Sequence, residues 1–186
     1  MTSFYLHEDD WGMINLLPAE NAVWAGEIAQ EAQQASQDNF AGFAQFGDAQ
    51  IPTYHNSYVI PEEKIPLSER KIHLDNLRSL LAEKWPEANN IASGYSSYTE
   101  ELSGAFAFGA ANGGGGAFYG NHKDEMVTSL HIIRPSYDEP QALEAFGAAL
   151  AQLGKQYDLV LADWWIKRVL DLRNAQGIRS YLAGEA

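Results

Sequence analysis

Two periods run through the chain. Steps of three and four place Val23, Trp24 and Ile28 along residues 19–36, Leu74, Leu77, Leu80 and Leu81 along 74–85, and Leu143, Phe146, Leu150 and Leu153 along 139–154. Each pattern predicts a helix with one buried face. Pro18 stands just before the first helix and Pro86 closes the second. Ser36-Gln37-Asp38-Asn39 predicts the end of the first, because short polar side chains compete with the backbone for its hydrogen bonds. A short last helix is expected over 178–182.

Short apolar runs predict strands instead. Phe4-Tyr5-Leu6 and Met13-Ile14-Asn15-Leu16-Leu17 are two, joined by a turn at Glu8-Asp9-Asp10-Trp11-Gly12 in which Gly12 can supply a positive φ. Residues 91–95 form a short strand. Phe106 and Phe108 alternate ahead of the glycine run 113–116, and Phe118-Tyr119 follows it, so a glycine loop joins two strands. Residues 126–133 form a strand stopped by Pro135, 159–162 a buried one, and 164–172 another that turns near Lys167. The aromatic, glycine-rich stretch 38–57 is expected to be an ordered loop. Strands outnumber β-α-β crossovers, so the fold class is α+β: a mostly antiparallel sheet with about three helices packed on it, in a single domain spanning 1–186.

Length agrees with that assignment. A chain of 186 residues fits one domain, and at this size about 70% of the unfolded surface is buried without a metal or disulfide staple. The chain has no cysteine, which excludes thiolate zinc sites, disulfides and cysteine nucleophiles. The N-terminus lacks a basic region ahead of an apolar run, and no apolar stretch approaches the ~20 residues of a membrane span. The expected compartment is the cytoplasm.

Charge changes the picture more. The net charge is −13, and residues 1–63 hold ten carboxylates with no Lys or Arg before Lys64. Nucleic acid and anionic membranes are excluded as expected partners, since both are bound through cations. A basic protein would be attracted, with association accelerated by ~10–1000-fold.

Each candidate for chemistry has a plainer reading. His7-Glu8-Asp9-Asp10 offers metal-ligand types, yet four successive side chains point in different directions and lack the spacing of a ligand motif. The glycine run is followed by no Lys-Ser or Lys-Thr and opens no helix, so it is a hairpin loop rather than a phosphate cradle. His73 and His122 each have an acid two residues on, Asp75 and Asp124, with no nucleophile motif to complete a site. His131, between Leu130 and Ile132, reads as a strand histidine at a core edge. Asp163-Trp164-Trp165, after a buried strand, could line a ligand pocket. Asp171 and Arg173 read as an internal ion pair. In the first third the acids are interleaved with Trp11, Trp24, Phe40, Phe43 and Phe46, and aromatic anchors inside a charged rim are the composition of a protein interface.

Residues 5–21, Tyr5-Leu6-His7-Glu8-Asp9-Asp10-Trp11-Gly12-Met13-Ile14-Asn15-Leu16-Leu17-Pro18-Ala19-Glu20-Asn21, resemble the N-terminal segment of small bacterial immunity proteins encoded beside polymorphic or contact-dependent toxins. The resemblance implies a stoichiometric inhibitor of a cognate toxin and transfers no residue roles. The expectation is therefore a non-enzymatic, cofactor-free, metal-free domain that binds a basic toxin domain through Glu8, Asp9, Asp10, Trp11, Phe43 and Phe46. Two alternatives stand beside it: a small metal- or ligand-binding enzyme using His7, Glu8, Asp10 and His122, and a homo-oligomeric structural protein whose aromatics are subunit contacts.

Overall fold

A computed structural model describes residues 3–43, 60–95, 98–110 and 114–185, with the side chains of 39–43 excepted. These residues form nine strands and four α-helices in an α+β arrangement. The first strand, β1 (Ser3–His7), leads through a 3-10 turn (Glu8–Asp10) into β2 (Ile14–Pro18) and helix α1 (Ala22–Phe43). Then come α2 (Leu74–Leu81), β3 (Asn90–Tyr95), β4 (Tyr98–Glu101), β5 (Ala105–Gly109), β6 (Ala117–Lys123) and β7 (Met126–Ile133). Helix α3 (Pro140–Tyr157), β8 (Leu159–Asp163), β9 (Arg168–Asp171) and α4 (Ala175–Leu182) complete the chain.

Six strands form one fully antiparallel sheet in the order β5-β6-β7-β2-β8-β9. Alternation gives it two apolar faces. Leu16, Leu130, Ile132, Leu161, Phe108 and Phe118 point to the side covered by α2, α3 and α4. The opposite side is covered in two pieces. Helix α1 lays Trp24, Ala25 and Ile28 on Leu17, Val160 and Ala162. A second, three-stranded sheet in the order β1-β3-β4 lays Phe4, Leu6 and Ile91 on Ala107, Ala117 and Tyr119. Between these two covers, the middle strands β2 and β7 set Asn15 opposite His131.

The small sheet departs from the antiparallel expectation. β1 pairs with β3 in parallel, from Ser3 opposite Asn90 to His7 opposite Gly94. The acidic turn therefore carries the chain from one sheet to the other instead of closing a hairpin.

Helix α1 also differs. The structure continues it through 37–43, residues expected to begin a loop. Gln34 Nε2 donates to Asp38 Oδ1 at 2.8 Å, so Asp38 spends its side chain on a partner one turn back instead of capping its own backbone. Helix α2 stops at Leu81, four residues short of Trp85, although the turns that follow still carry a bond from Trp85 N to Leu81 O at 2.9 Å. Lys167, with φ 55°, closes the β8–β9 hairpin where the turn was expected. Among the described residues no helix is long and apolar enough to cross a membrane.

Candidate functional site

The acidic turn is fixed from below. Tyr119, on β6, is buried, and its hydroxyl accepts from Gly12 N (3.2 Å) and donates to Asp10 O (3.3 Å). Burial pushes this phenol up to about 12, so it stays protonated and serves as both donor and acceptor. Gly12 has φ +77°, a conformation that costs any residue with a Cβ. At the other end of the turn, His7 Nδ1 accepts from Asp9 N at 3.3 Å.

Deeper in, Asn15 links three elements. Trp164 Nε1 lies 3.1 Å from one end of its amide, and an indole N–H only donates, so that end is the oxygen. The amide nitrogen then donates to Gly12 O (2.6 Å) and to His131 Nδ1 (2.7 Å). His131 must accept there and carries its proton on Nε2. Burial holds it far below the usual imidazole range, at about 4, so it is neutral. His131 is the core-edge strand histidine its neighbours implied, and the row Tyr119, His131, Asn15 crosses β6, β7 and β2 in register.

The turn is also tied to the small sheet. Tyr95 Oη donates to Asp9 Oδ2 at 2.8 Å, and the His7 ring meets the Tyr95 ring edge-on, with centroids 4.2 Å apart. Tyr5 Oη donates to Gly94 O at 2.7 Å. On the other flank, Trp164 N donates to Met13 O at 3.0 Å, which brings the β8–β9 turn alongside. A cleft of about 350 Å³ lies between, lined by Tyr5, His7, Asp10, Met13, Arg134 and Trp165. Arg134 is stacked over Tyr137 at 4.6 Å and has no carboxylate within ion-pair distance among the described residues.

The three residues of the Asp163 cluster have three separate fates. Asp163 is buried, accepting from Trp165 N (3.0 Å), Ile166 N (3.2 Å) and Tyr181 Oη (2.7 Å). Burial, with the Asp163 carboxylate beside it, pushes the Tyr181 hydroxyl up. Trp164 packs inside, edge-on to Trp24 at 6.4 Å. Trp165 is 56% exposed. Asp171 and Arg173 form the expected ion pair, at 3.0 Å, joined by Asp158 at 2.8 Å.

Of the residues expected to bind a partner, Glu8, Asp9 and Asp10 stand together and exposed on one turn. Trp11 is half-buried and its ring faces inward, 5.0 Å from Tyr119 and 6.4 Å from His131. The Phe43 side chain, and Phe46 altogether, lie outside the described residues. Trp24 is only 7% exposed and belongs to the core, so it is no interface aromatic. Two of the other early acids already have partners: Glu20 is ion-paired with Arg70, and Asp38 accepts from Gln34. Sequence reasoning missed the tyrosines that are exposed beside the turn, Tyr95 (51%) and Tyr98 (71%); Trp165, singled out as a pocket residue, lines the cleft. The tyrosines' signal was their place at the ends of short segments.

Among the described residues no three His, Asp or Glu side chains are placed to hold a metal ion together, so His7, Glu8, Asp10 and His122 do not assemble into the metal centre of the enzyme alternative. No protein-family model, curated protein or solved structure matches the chain.

Proposed function

We propose that this chain is an acidic protein-binding domain of the immunity type, a stoichiometric inhibitor that docks a basic toxin domain in the cytoplasm of the cell that makes both. One observation carries the reading: three exposed carboxylates, Glu8, Asp9 and Asp10, sit on a turn locked by Tyr119 and extended by Tyr95. A surface ordered before binding loses less entropy on docking. Carboxylates of fixed position supply complementarity to Lys and Arg, and exposed tyrosines supply apolar area with a polar tip. The net charge of −13 draws a cationic partner from a distance. The resemblance of residues 5–21 to immunity proteins points to the same class of partner.

The test is a calorimetric titration of the full chain against the toxin domain encoded in the adjacent gene. Asp9→Ala with Asp10→Ala weakens binding by at least about tenfold, the size expected when charge pairs are lost from an interface. The melting temperature hardly moves, because these carboxylates are solvent-exposed. Affinity equal to that of the unaltered chain would remove the turn from the interface, and absence of any complex would remove the reading itself.

A further inference from the structure

Among the described residues the outer edge of the small sheet is unpaired. Among the described residues β4 pairs with β3 alone, and all four of its residues, Tyr98, Thr99, Glu100 and Glu101, are exposed. Which backbone groups face outward follows from the register. Glu101 lies opposite Ala92, and the next residue, Leu102, donates its N–H to Ile91 O at 2.9 Å. Hydrogen-bonded pairs alternate with non-bonded pairs along an antiparallel ladder. Glu100 and Tyr98 therefore bond inward to Ser93 and Tyr95, while the N–H and C=O groups of Thr99 and Glu101 point away from the sheet. No described residue bonds to them. Such an edge is a template for one more strand.

The charge on the edge selects what strand it takes. Glu100 has no ion-pair partner among the described residues, and Glu101 accepts only from the Asn90 amide, at 3.0 Å. Opposite charges on facing strands stabilise a pair and like charges destabilise it. A second copy of this chain would set Glu100 and Glu101 against its own acids. The chain's N-terminal third holds no Lys or Arg before Lys64, so it offers this edge no cation. The same side of the molecule already bears Asp9, bound by Tyr95 of the adjoining strand. We infer that β4 is a docking edge that accepts an extended, Lys- or Arg-bearing segment of the basic partner as a fourth strand. Backbone bonds at Thr99 and Glu101 would hold the segment in register, and Glu100, Glu101 and Asp9 would pair its cations. This inference rests on the protein-binding reading above and names how the partner is held.

The experiment uses the full chain and the toxin domain encoded in the adjacent gene. Thr99→Pro removes one outward N–H and leaves the bonds to β3 in place. Binding weakens by about tenfold or more, and amide exchange at 98–101 slows in the complex of the unaltered chain. The exchange measurement needs no variant, so it decides the matter even where Thr99→Pro fails to fold. A complex that forms normally, is weakened by Asp9→Ala with Asp10→Ala, and leaves exchange at 98–101 unchanged overturns the edge and keeps the protein-binding reading. No complex at all overturns both. A dimer of this chain in light scattering that Thr99→Pro dissolves also overturns it, by assigning the edge to a second copy.

Discussion

Trp164 sets the tautomer of His131 through the Asn15 amide. The indole N–H orients the Asn15 amide, and the amide presents an N–H to His131 Nδ1. A protonated imidazole would oppose donor to donor there, so the neutral ring is built into the middle of the sheet, beneath the acidic turn.

Stability should therefore fall in mild acid. His131 has a folded value of about 4 against the usual 6.5, so the unfolded chain binds the proton more tightly. Its contribution is complete above pH 6.5 and is lost as pH falls from there to 4, by an amount on the order of 3 kcal/mol. Urea unfolding at pH 7.5 and 4.5 reads the loss. In His131→Gln, which cannot take the proton, the difference between the two pH values shrinks by about 2 kcal/mol or more. An unchanged difference would show that other groups carry the acid sensitivity.

Tyr119→Phe removes the hydroxyl that Gly12 N donates to and that Asp10 O accepts from. The expected cost is about 1–2 kcal/mol in chemical denaturation. Amide exchange at residues 10–12 accelerates as the turn loosens. If a rigid turn matters for binding, toxin affinity falls although every carboxylate remains.

Asn21 is buried and bonds both backbone groups of Ile65, donating to its oxygen at 2.7 Å and accepting from its nitrogen at 3.0 Å. It anchors the start of α1 to a segment 44 residues on. Asn21→Ala strands both groups of Ile65 and costs about 2–4 kcal/mol in thermal or urea unfolding.

Two helical glycines should respond in opposite directions to the same change. A Cβ at Gly26 meets nothing within 4 Å, so Gly26→Ala stabilises by about 0.5–1 kcal/mol through backbone entropy. At Gly154 a Cβ would lie 2.3 Å from Leu172 Cβ, and Gly154→Ala forces α3 away from the segment that follows β9, costing about 1–3 kcal/mol. Melting curves of the two variants check both signs.

The legibility of each element followed its burial. α3 and β7 were readable because each hides one face, and a hidden face leaves a period in the sequence. β4 left none: Tyr98-Thr99-Glu100-Glu101 is exposed on both faces, so no apolar alternation marks it. The acidic turn was legible from its residue types. Its clamp was not, because Tyr119 lies 107 residues from Gly12 and only sheet register brings them together.

Local sequence alone determined the α+β class, most of the elements and the position of the acidic turn, because propensity and periodicity act over a few residues. Only the tertiary structure decided that β1 joins β3 in parallel, that Trp24 is core while Trp165 is surface, and that Asp9 shares a side of the molecule with Tyr95 and the β4 edge. Those choices belong to strand pairing and packing between distant segments. A side chain's type does not reveal which neighbour will cover it.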